Sequence, residues 1–245
     1  MTTPRAGTSN RATRILGAAA LSTLAATVVL GLFVTKPDEV QGESVRLIYI
    51  HPGGAWTAYL AFGVTALASA LYLWPRTRSR LWDLIAGASA ELGVLFIALT
   101  LVLGSIWGRA TWGVWWTWDA RLTTTALLLA LYLGYLALRR VPASVEVRSK
   151  RSAVAALIAA VDIPIVHMSV EWWRTLHQGR TVLRPHPQIH GLQLQTLLLG
   201  VVAMTLVYAW LLIHRFRVEL LEEKLDDIGL EHAIAERRAE AGVRS

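Results

Sequence analysis

Apolar residues recur in six stretches long enough to cross a bilayer, near Ile15–Thr35, Gly54–Trp74, Leu84–Ile106, Leu122–Leu138, Ser152–Val170 and Leu192–Ile213. Each approaches the roughly 20 residues that a helix needs to span the hydrocarbon core. Backbone groups in lipid must be satisfied within the protein, so six apolar stretches predict six helices. The expected fold is all-α: an integral membrane bundle of six transmembrane helices over residues 1–214, then a helical tail over 215–245. The first stretch follows Arg5, Arg11 and Arg14, as a signal peptide would, but it is longer than a typical signal core and no A-x-A site closes it. It is expected to be a retained anchor. The tail is dense in charge from Phe216 to Arg238, with Leu221, Leu225 and Ile228 at i, i+4, i+7. That spacing predicts a cytoplasmic amphipathic helix, either a solvated extension of the last span or a docking surface. No internal repeat is visible.

Composition agrees with the pattern. Hydrophobic residues make up 54% of the 245 and charged residues 17%, below the roughly 25% of soluble domains. A net charge of +7 would suit nucleic acid, but the charges sit in short segments between apolar runs, which is the signature of topology instead. Seventeen Lys and Arg fall in the N-terminus, loop 76–80, loop 139–151 and the tail, and seven in the alternate loops. The positive-inside rule then puts both termini in the cytoplasm and the loop joining spans three and four on the outer face. The chain has no cysteine, which excludes disulfides, thiolate metal sites and covalent c-type haem attachment.

That outer loop holds the densest chemistry. "WGRATWGVWWTWDARLT" (107–123) carries five tryptophans, one aspartate and two arginines. A plain interfacial belt would place Trp at both interfaces. Here Trp56, Trp107, Trp112, Trp115, Trp116, Trp118, Trp172 and Trp173 are outer, and Trp74, Trp82 and Trp210 inner. If 112–119 is helical, Trp112, Trp115, Trp116 and Asp119 share one face. Such a platform, with a carboxylate at its end, suits a large flat apolar ligand with polar edges.

Two histidines stand on the same side. His51 lies at the mouth of span two in "YIHPGGAW", where Pro52 fits a first helical turn and Gly53 and Gly54 let another group approach. His177 follows span five in "VEWWRTLHQG". A neutral imidazole is a good axial ligand to haem iron, and two can close both faces of the ring. Arg109, Arg121, Arg174, Arg180 and Arg184 would then be placed to pair with propionates. The alternative is two interfacial histidines with ordinary hydrogen bonds. His186 and His190, at i, i+4, would bind zinc if helical, but Pro185 and Pro187 oppose the helix and no third ligand is evident. His167 stands four residues before Glu171, as for a buried pair. Glu91 in span three and Asp162 near Pro164 in span five are carboxylates within lipid, with no Lys or Arg inside a span to pair them. Each reads as a protonated carboxyl bonded to a neighbouring helix or as part of a proton path. No P-loop, H-E-x-x-H or G-x-S-x-G occurs, so no conventional catalytic site is visible and no enzyme is expected.

Together, "GSIWG" with "WGVWWTWDARLT", "YIHPGGAW" and "IPIVHMSVEWWRTLHQG" resemble the tryptophan-rich WWD proteins that handle haem, and among them the haem exporter protein C (CcmC) family of cytochrome c maturation. The resemblance covers roughly residues 42–214. It implies that haem b is held non-covalently at the outer, periplasmic face between His51 and His177. It also implies a WWD motif of Trp112, Gly113, Trp115, Trp116, Trp118, Asp119 and Arg121, with support from Trp172, Trp173 and Arg174. The implied partners are a periplasmic haem chaperone, ATP-binding-cassette transporter subunits and membrane lipid, with no nucleic acid. The implied location is the bacterial cytoplasmic (inner) membrane, multi-pass. One departure is that Pro52 follows His51 directly, where the family pattern places a residue between them. The competing readings are a permease that itself moves haem or another solute, and a structural subunit whose Trp loop binds only lipid or protein.

The charge asymmetry makes a direct prediction. A reporter fused after Val114 will be active only if it functions outside the cytoplasm; cytoplasmic activity at that position would invert the whole topology.

Overall fold

In the computed structural model, which describes residues 8–179 and 189–243, the described residues form helices and no strands. Six of the helical stretches are long and apolar enough to cross a membrane: Arg11–Val34, Glu43–Leu73, Arg80–Trp112, Ala120–Arg140, Val145–Trp172 and Gly191–Leu225. These contain α1 (Arg11–Val29), α2 (His51–Leu73), α3 (Arg80–Trp112), α4 (Ala120–Arg140), α5 (Val145–Ala160), α6 (Asp162–Trp172) and α7 (Gly191–Val243). All six expected spans are present, and most are longer than hydropathy alone drew them. Polar first turns account for part of the difference: Asn10, Ser79, Asp119 and Ser144 each cap a helix through a side-chain oxygen.

Two spans are irregular. α1 ends in a π turn over Leu30–Val34, where Arg46 donates to the carbonyls of Gly31 and Thr35. The fifth span is broken at Val161, between α5 and α6. Pro164 explains the break, because it lacks an N–H and its ring clashes with the carbonyl four residues back. Asp162 is buried at the start of α6, and its Oδ2 has no hydrogen-bond partner among the described residues.

The bundle packs tightly through small residues. α2 lies mainly on α3 and also meets α5 and α7, while α1 runs along α7. The Phe62 ring stacks on Tyr132 with centroids 3.7 Å apart and presses on Gly93, where a Cβ would come within 2.4 Å of it. Ser89 donates to the Ala61 carbonyl at 2.7 Å and meets the Tyr208 hydroxyl at 2.7 Å. Lipid offers no hydrophobic drive between helices, so such close approach and interhelical hydrogen bonding are what hold them. The glycines foreseen to admit a neighbour do so: a Cβ on Gly53 would meet the Gly200 carbonyl at 3.1 Å, and one on Gly54 would meet Thr100 Oγ1 at 3.0 Å.

The tail from Arg215 is not a separate helix. α7 runs unbroken for 53 residues, so the tail extends the last span. Glu91, expected to have no cationic partner, is bound by Arg215 of α7, whose Nη2 donates to Oε1 at 3.1 Å and whose Nε reaches Oε2. The expectation failed because Arg215 lies just past the apolar run, yet α7 carries it back against α3. Arg80 and Arg139, read only as loop charges, converge on Asp83, which is buried. Removing either partner of a buried pair leaves a charge without compensation.

Packing predicts two opposite glycine substitutions. At Gly200 a Cβ would sit 2.0 Å from the Tyr49 carbonyl oxygen, whereas at Gly134 nothing lies within 4 Å. Gly200→Ala is expected to cost about 1–3 kcal/mol through overpacking. Gly134→Ala is expected to be neutral or stabilising by up to about 1 kcal/mol. Thermal unfolding in detergent measures both; equal midpoints would contradict the packing of α7 on Tyr49.

Candidate functional site

His51 and His177, 126 positions apart in the chain, line one cleft together with Tyr59, Thr100, Gly104 and Arg121. His51 is the first residue of α2, reached through a 3-10 turn over Glu43–Tyr49. Its imidazole lies against Gly104 of α3, where a Cβ would fall 2.9 Å from Cε1, so only glycine leaves room for the ring. Trp107, nearly one turn further along α3, stands edge-on to it at 5.8 Å. Trp107 is fixed in turn by donating from Nε1 to Gln41 Oε1 at 2.9 Å. No well-formed hydrogen bond reaches the buried Nδ1 of His51, although the Thr100 backbone and His177 both act on the ring electrostatically.

His177 is held by Asp119. The Oδ1 of Asp119 caps α4 by accepting from the Leu122 N–H at 2.8 Å. Its Oδ2 accepts from His177 Nδ1 at 3.0 Å, from the Leu176 N–H at 3.2 Å and from the Thr175 hydroxyl. The Thr175 oxygen also accepts from the His177 backbone N–H at 3.1 Å. Burial alone would raise the Asp119 carboxyl; the Leu122 N–H, Thr175 and His177 outweigh it and hold the pKa below its ordinary value. Burial pushes the His177 imidazole below its ordinary value, opposed by Asp119 and reinforced by Arg121. His177 is therefore neutral at pH 7. An ionised carboxylate only accepts, so the proton sits on Nδ1 and Nε2 keeps its lone pair. This is the arrangement by which a carboxylate orients a metal-binding imidazole and raises its basicity.

The tryptophans form no helical platform. α3 stops at Trp112 because Gly113 takes a left-handed conformation, φ 78°, and Arg109 donates to the Gly113 carbonyl. Residues 113–119 are a loop, so the face expected to join Trp112, Trp115, Trp116 and Asp119 is absent. The loop puts these residues to different uses. Trp112 packs edge-on against the His177 ring at 4.8 Å. Trp116 is half-buried against Trp118 at 5.4 Å, and its buried Nε1 has no partner among the described residues. Trp115 and Trp118 are exposed, 60% and 79%. Ser105 donates to the Trp115 carbonyl at 2.7 Å and ties the loop to α3.

The remaining expected residues divide. Arg121 lines the cleft, with Nε on Ser169 Oγ at 3.0 Å and Nη2 on the His167 carbonyl at 3.2 Å, so these donors already anchor α4 to α6. Trp172 and Trp173 pack on each other at the end of α6, both exposed, and Arg174 beside them is exposed. Trp56 points at Thr205 of α7. His167, expected to be buried, is exposed, with Tyr59 its aromatic neighbour at 6.5 Å. The reason is position: His167 falls on the outward side of a short helix whose inner side is Val166 and Ser169. Arg180, Arg184 and His186 lie outside the described residues. Among the described residues, no three His, Asp or Glu side chains gather as a metal site. Sequence reasoning named Trp107 only as one of the outer tryptophans and passed over Thr175 and Tyr59. The T-x-H spacing and the position of Trp107 nearly two turns before the loop were the available signals.

A haem-iron ligand set fits what is present: two imidazoles on one cleft, one with a carboxylate-fixed tautomer and one with an unpaired buried nitrogen. The cleft between them holds about 50 Å³. Sites for ligands of drug size and above run to roughly 300 Å³ or more. A macrocycle therefore requires its walls to part, and among the lining residues only His177 stands outside a helix.

Residues 3–230 match the family described as heme exporter protein C. The chain is 38% identical over 198 residues to the heme exporter protein C of Haemophilus influenzae, covering 80% of this chain and 79% of that protein. It is 36% identical over 217 residues to the protein of that name in Bradyrhizobium diazoefficiens, covering 85% and 81%. It is 38% identical over 154 residues to that of Escherichia coli K12, covering 62% of each.

The Asp119–His177 pair sets a pH dependence. Both groups have folded pKa values below their ordinary 3.8 and 6.5, so the folded state binds fewer protons in acid than the unfolded chain. Stability is full above about pH 6.5 and falls as the pH drops, first through His177 and then through Asp119. His177→Gln is expected to flatten the upper part of the profile and to weaken the lower part without abolishing it, because Leu122 and Thr175 still hold Asp119. Unfolding midpoints between pH 4 and 8 test this; an unchanged slope between pH 5 and 6.5 in the variant would remove His177 from the account.

Proposed function

This chain belongs to the heme exporter protein C family, and we propose from that premise that it binds haem b at the outer face of the membrane and delivers it to a periplasmic haem chaperone for c-type cytochrome maturation. Six apolar helices and bacterial relatives of that name make it a multi-pass protein of the inner membrane. Haem is cargo here, so the chain needs binding and release rather than a catalytic site. ATP-binding-cassette subunits are the proposed partners that power release of the loaded chaperone, since this chain carries no P-loop of its own.

The observation that carries the reading is the hydrogen bond from His177 Nδ1 to Asp119, 3.0 Å long, on the cleft that His51 shares. His51 and His177 are the proposed axial ligands. His51 is held on rigid helix by Gly104 and Trp107, and His177 on a loop by Asp119 and Thr175. One ligand is thus fixed and the other is steered by a group within the WWD motif. Arg121 lines the same cleft and is bound to α6; burial first, and Arg121 with it, keep His177 in the neutral form that iron requires. Trp112 gives the His177 ring its apolar neighbour, while the exposed Trp115 and Trp118 give the open edge where an acceptor protein approaches. Asp119 therefore couples the two tasks. The loop that meets the acceptor also sets the tautomer and direction of one ligand.

Haem per purified protein, measured as the pyridine haemochrome, tests the assignment. Single His51→Ala or His177→Ala variants are expected to lose part of their haem and to regain a low-spin spectrum with added imidazole; the double variant is expected to lose nearly all. Asp119→Ala is expected to weaken binding by about 10- to 100-fold, the usual cost of losing a group that orients a metal ligand. Asp119→Ser keeps a helix cap but is too short for His177, so it separates the ligand effect from the roughly 1 kcal/mol lost with a cap. A double-histidine variant with an unaltered haem spectrum would overturn the ligation, and wild-type binding in both Asp119 variants would reduce that residue to a cap.

A further inference from the structure

A second cavity lies at the opposite end of the bundle from the tryptophan loop. It holds about 450 Å³ and is lined by Glu91, Leu136, Arg139, Arg140, Arg148, Arg215 and Glu219. Four helices frame it: α3 gives Glu91, α4 gives Leu136, Arg139 and Arg140, α5 gives Arg148, and α7 gives Arg215 and Glu219. Its volume is that of a ligand site, and nothing in the proposed handling of haem at the other end uses it.

The charges within it are unevenly committed. Arg215 holds both carboxylates of the lining, Glu91 at 3.1 Å and Glu219 at 2.9 Å. Arg139 is turned onto Asp83, with Nη1 to Oδ1 at 2.7 Å. Arg140 and Arg148 make no ion pair or hydrogen bond through their guanidiniums among the described residues. The Nε of Arg148 is moreover buried without a partner. A buried donor without an acceptor is costly, and natural structures rarely leave one. The two carboxylates being already taken, the cavity presents two free guanidiniums to whatever enters it.

Position narrows the ligand. Arg140 ends α4 and Arg148 lies in the first turn of α5, so the cavity opens where two spans leave the hydrocarbon. That is the level of lipid phosphates. Guanidinium forks match phosphate oxygens in a bidentate way, and basic pockets between spans are where acidic headgroups dock. Leu136, one turn inward from Arg140, offers apolar surface on the side of the acyl chains.

We propose that this cavity is a binding site for the phosphate of an anionic phospholipid headgroup, held by Arg140 and Arg148. Arg139 and Arg215, fixed by their carboxylates, form its rear wall. Occupancy joins α4 to α5 through an anion, across the short turn of residues 141–144. The site stands on residues remote from both histidines and does not depend on how haem is bound.

The full chain in detergent is titrated with phosphatidylglycerol and, separately, with phosphatidylcholine, and bound lipid is read by native mass spectrometry. Wild type is expected to retain phosphatidylglycerol in preference to phosphatidylcholine. Arg140→Gln/Arg148→Gln is expected to lower that affinity by about 30-fold, from two surface-level cations at their usual worth. Arg76→Gln, a cation of the adjoining loop that does not line the cavity, is expected to leave it unchanged. Thermal unfolding and haem content establish that the double variant is folded. Displacement of the lipid by millimolar inorganic phosphate would assign the site to a soluble phosphate and overturn the lipid source. Equal loss in Arg76→Gln would mean diffuse surface charge, and undiminished retention in the folded double variant would remove the site altogether.

Discussion

A single carboxylate closes the tryptophan-bearing end of the bundle. Asp119 starts α4 with one oxygen and gathers Thr175, Leu176 and His177 with the other. The loop after α3 and the segment after α6 have little helical hydrogen bonding of their own, so each needs an external anchor. Asp119 anchors both with one side chain that is 7% exposed. The charge is affordable there because it is fully hydrogen-bonded, which is what separates a useful buried carboxylate from a costly one. The position of His177 against Trp112, and its presence on the same cleft as His51, follow from that one group.

The other end is organised by the reverse principle. There Asp83 and Glu91 of α3 are met by Arg139 of α4 and Arg215 of α7, Arg215 also holds Glu219 of its own helix, and cations are in excess. One end of the bundle is thus ordered by an acid that collects donors, the other by guanidiniums that collect acids. Between them the interior is small and apolar, with Ser89, Tyr208 and Thr65 spending their hydroxyls on neighbouring helices or their own.

Much of this architecture is legible in the chain. Six apolar runs become six spans because lipid permits no other economy of hydrogen bonds. Both histidines chosen for their neighbours in sequence come to one cleft. What stayed hidden depends on local backbone chemistry and on side-chain reach. The helical face drawn through Trp112 and Asp119 assumed that periodicity continues, but Gly113 ends α3 and Asp119 begins α4, both recognisable signals that the tryptophan count obscured. Glu91 looked unpaired because Arg215 is 124 positions away, and no spacing rule reports which residues two packed helices bring together. The partnership of Asp119 with His177 is of the same kind.

α7 has a mechanical consequence. Its 53 residues make a rod of about 80 Å, of which the hydrocarbon core takes about 30 Å. It is held along that whole depth: Gly200 lies flush against Tyr49 and Gly53, Trp210 packs on Gly17, and Arg215 is tied to Glu91. Beyond Glu223, which Arg80 holds, the rod runs on to Val243, a projection of about 30 Å. A pull on that projection is therefore shared by α1, α2 and α3 rather than turned about one point.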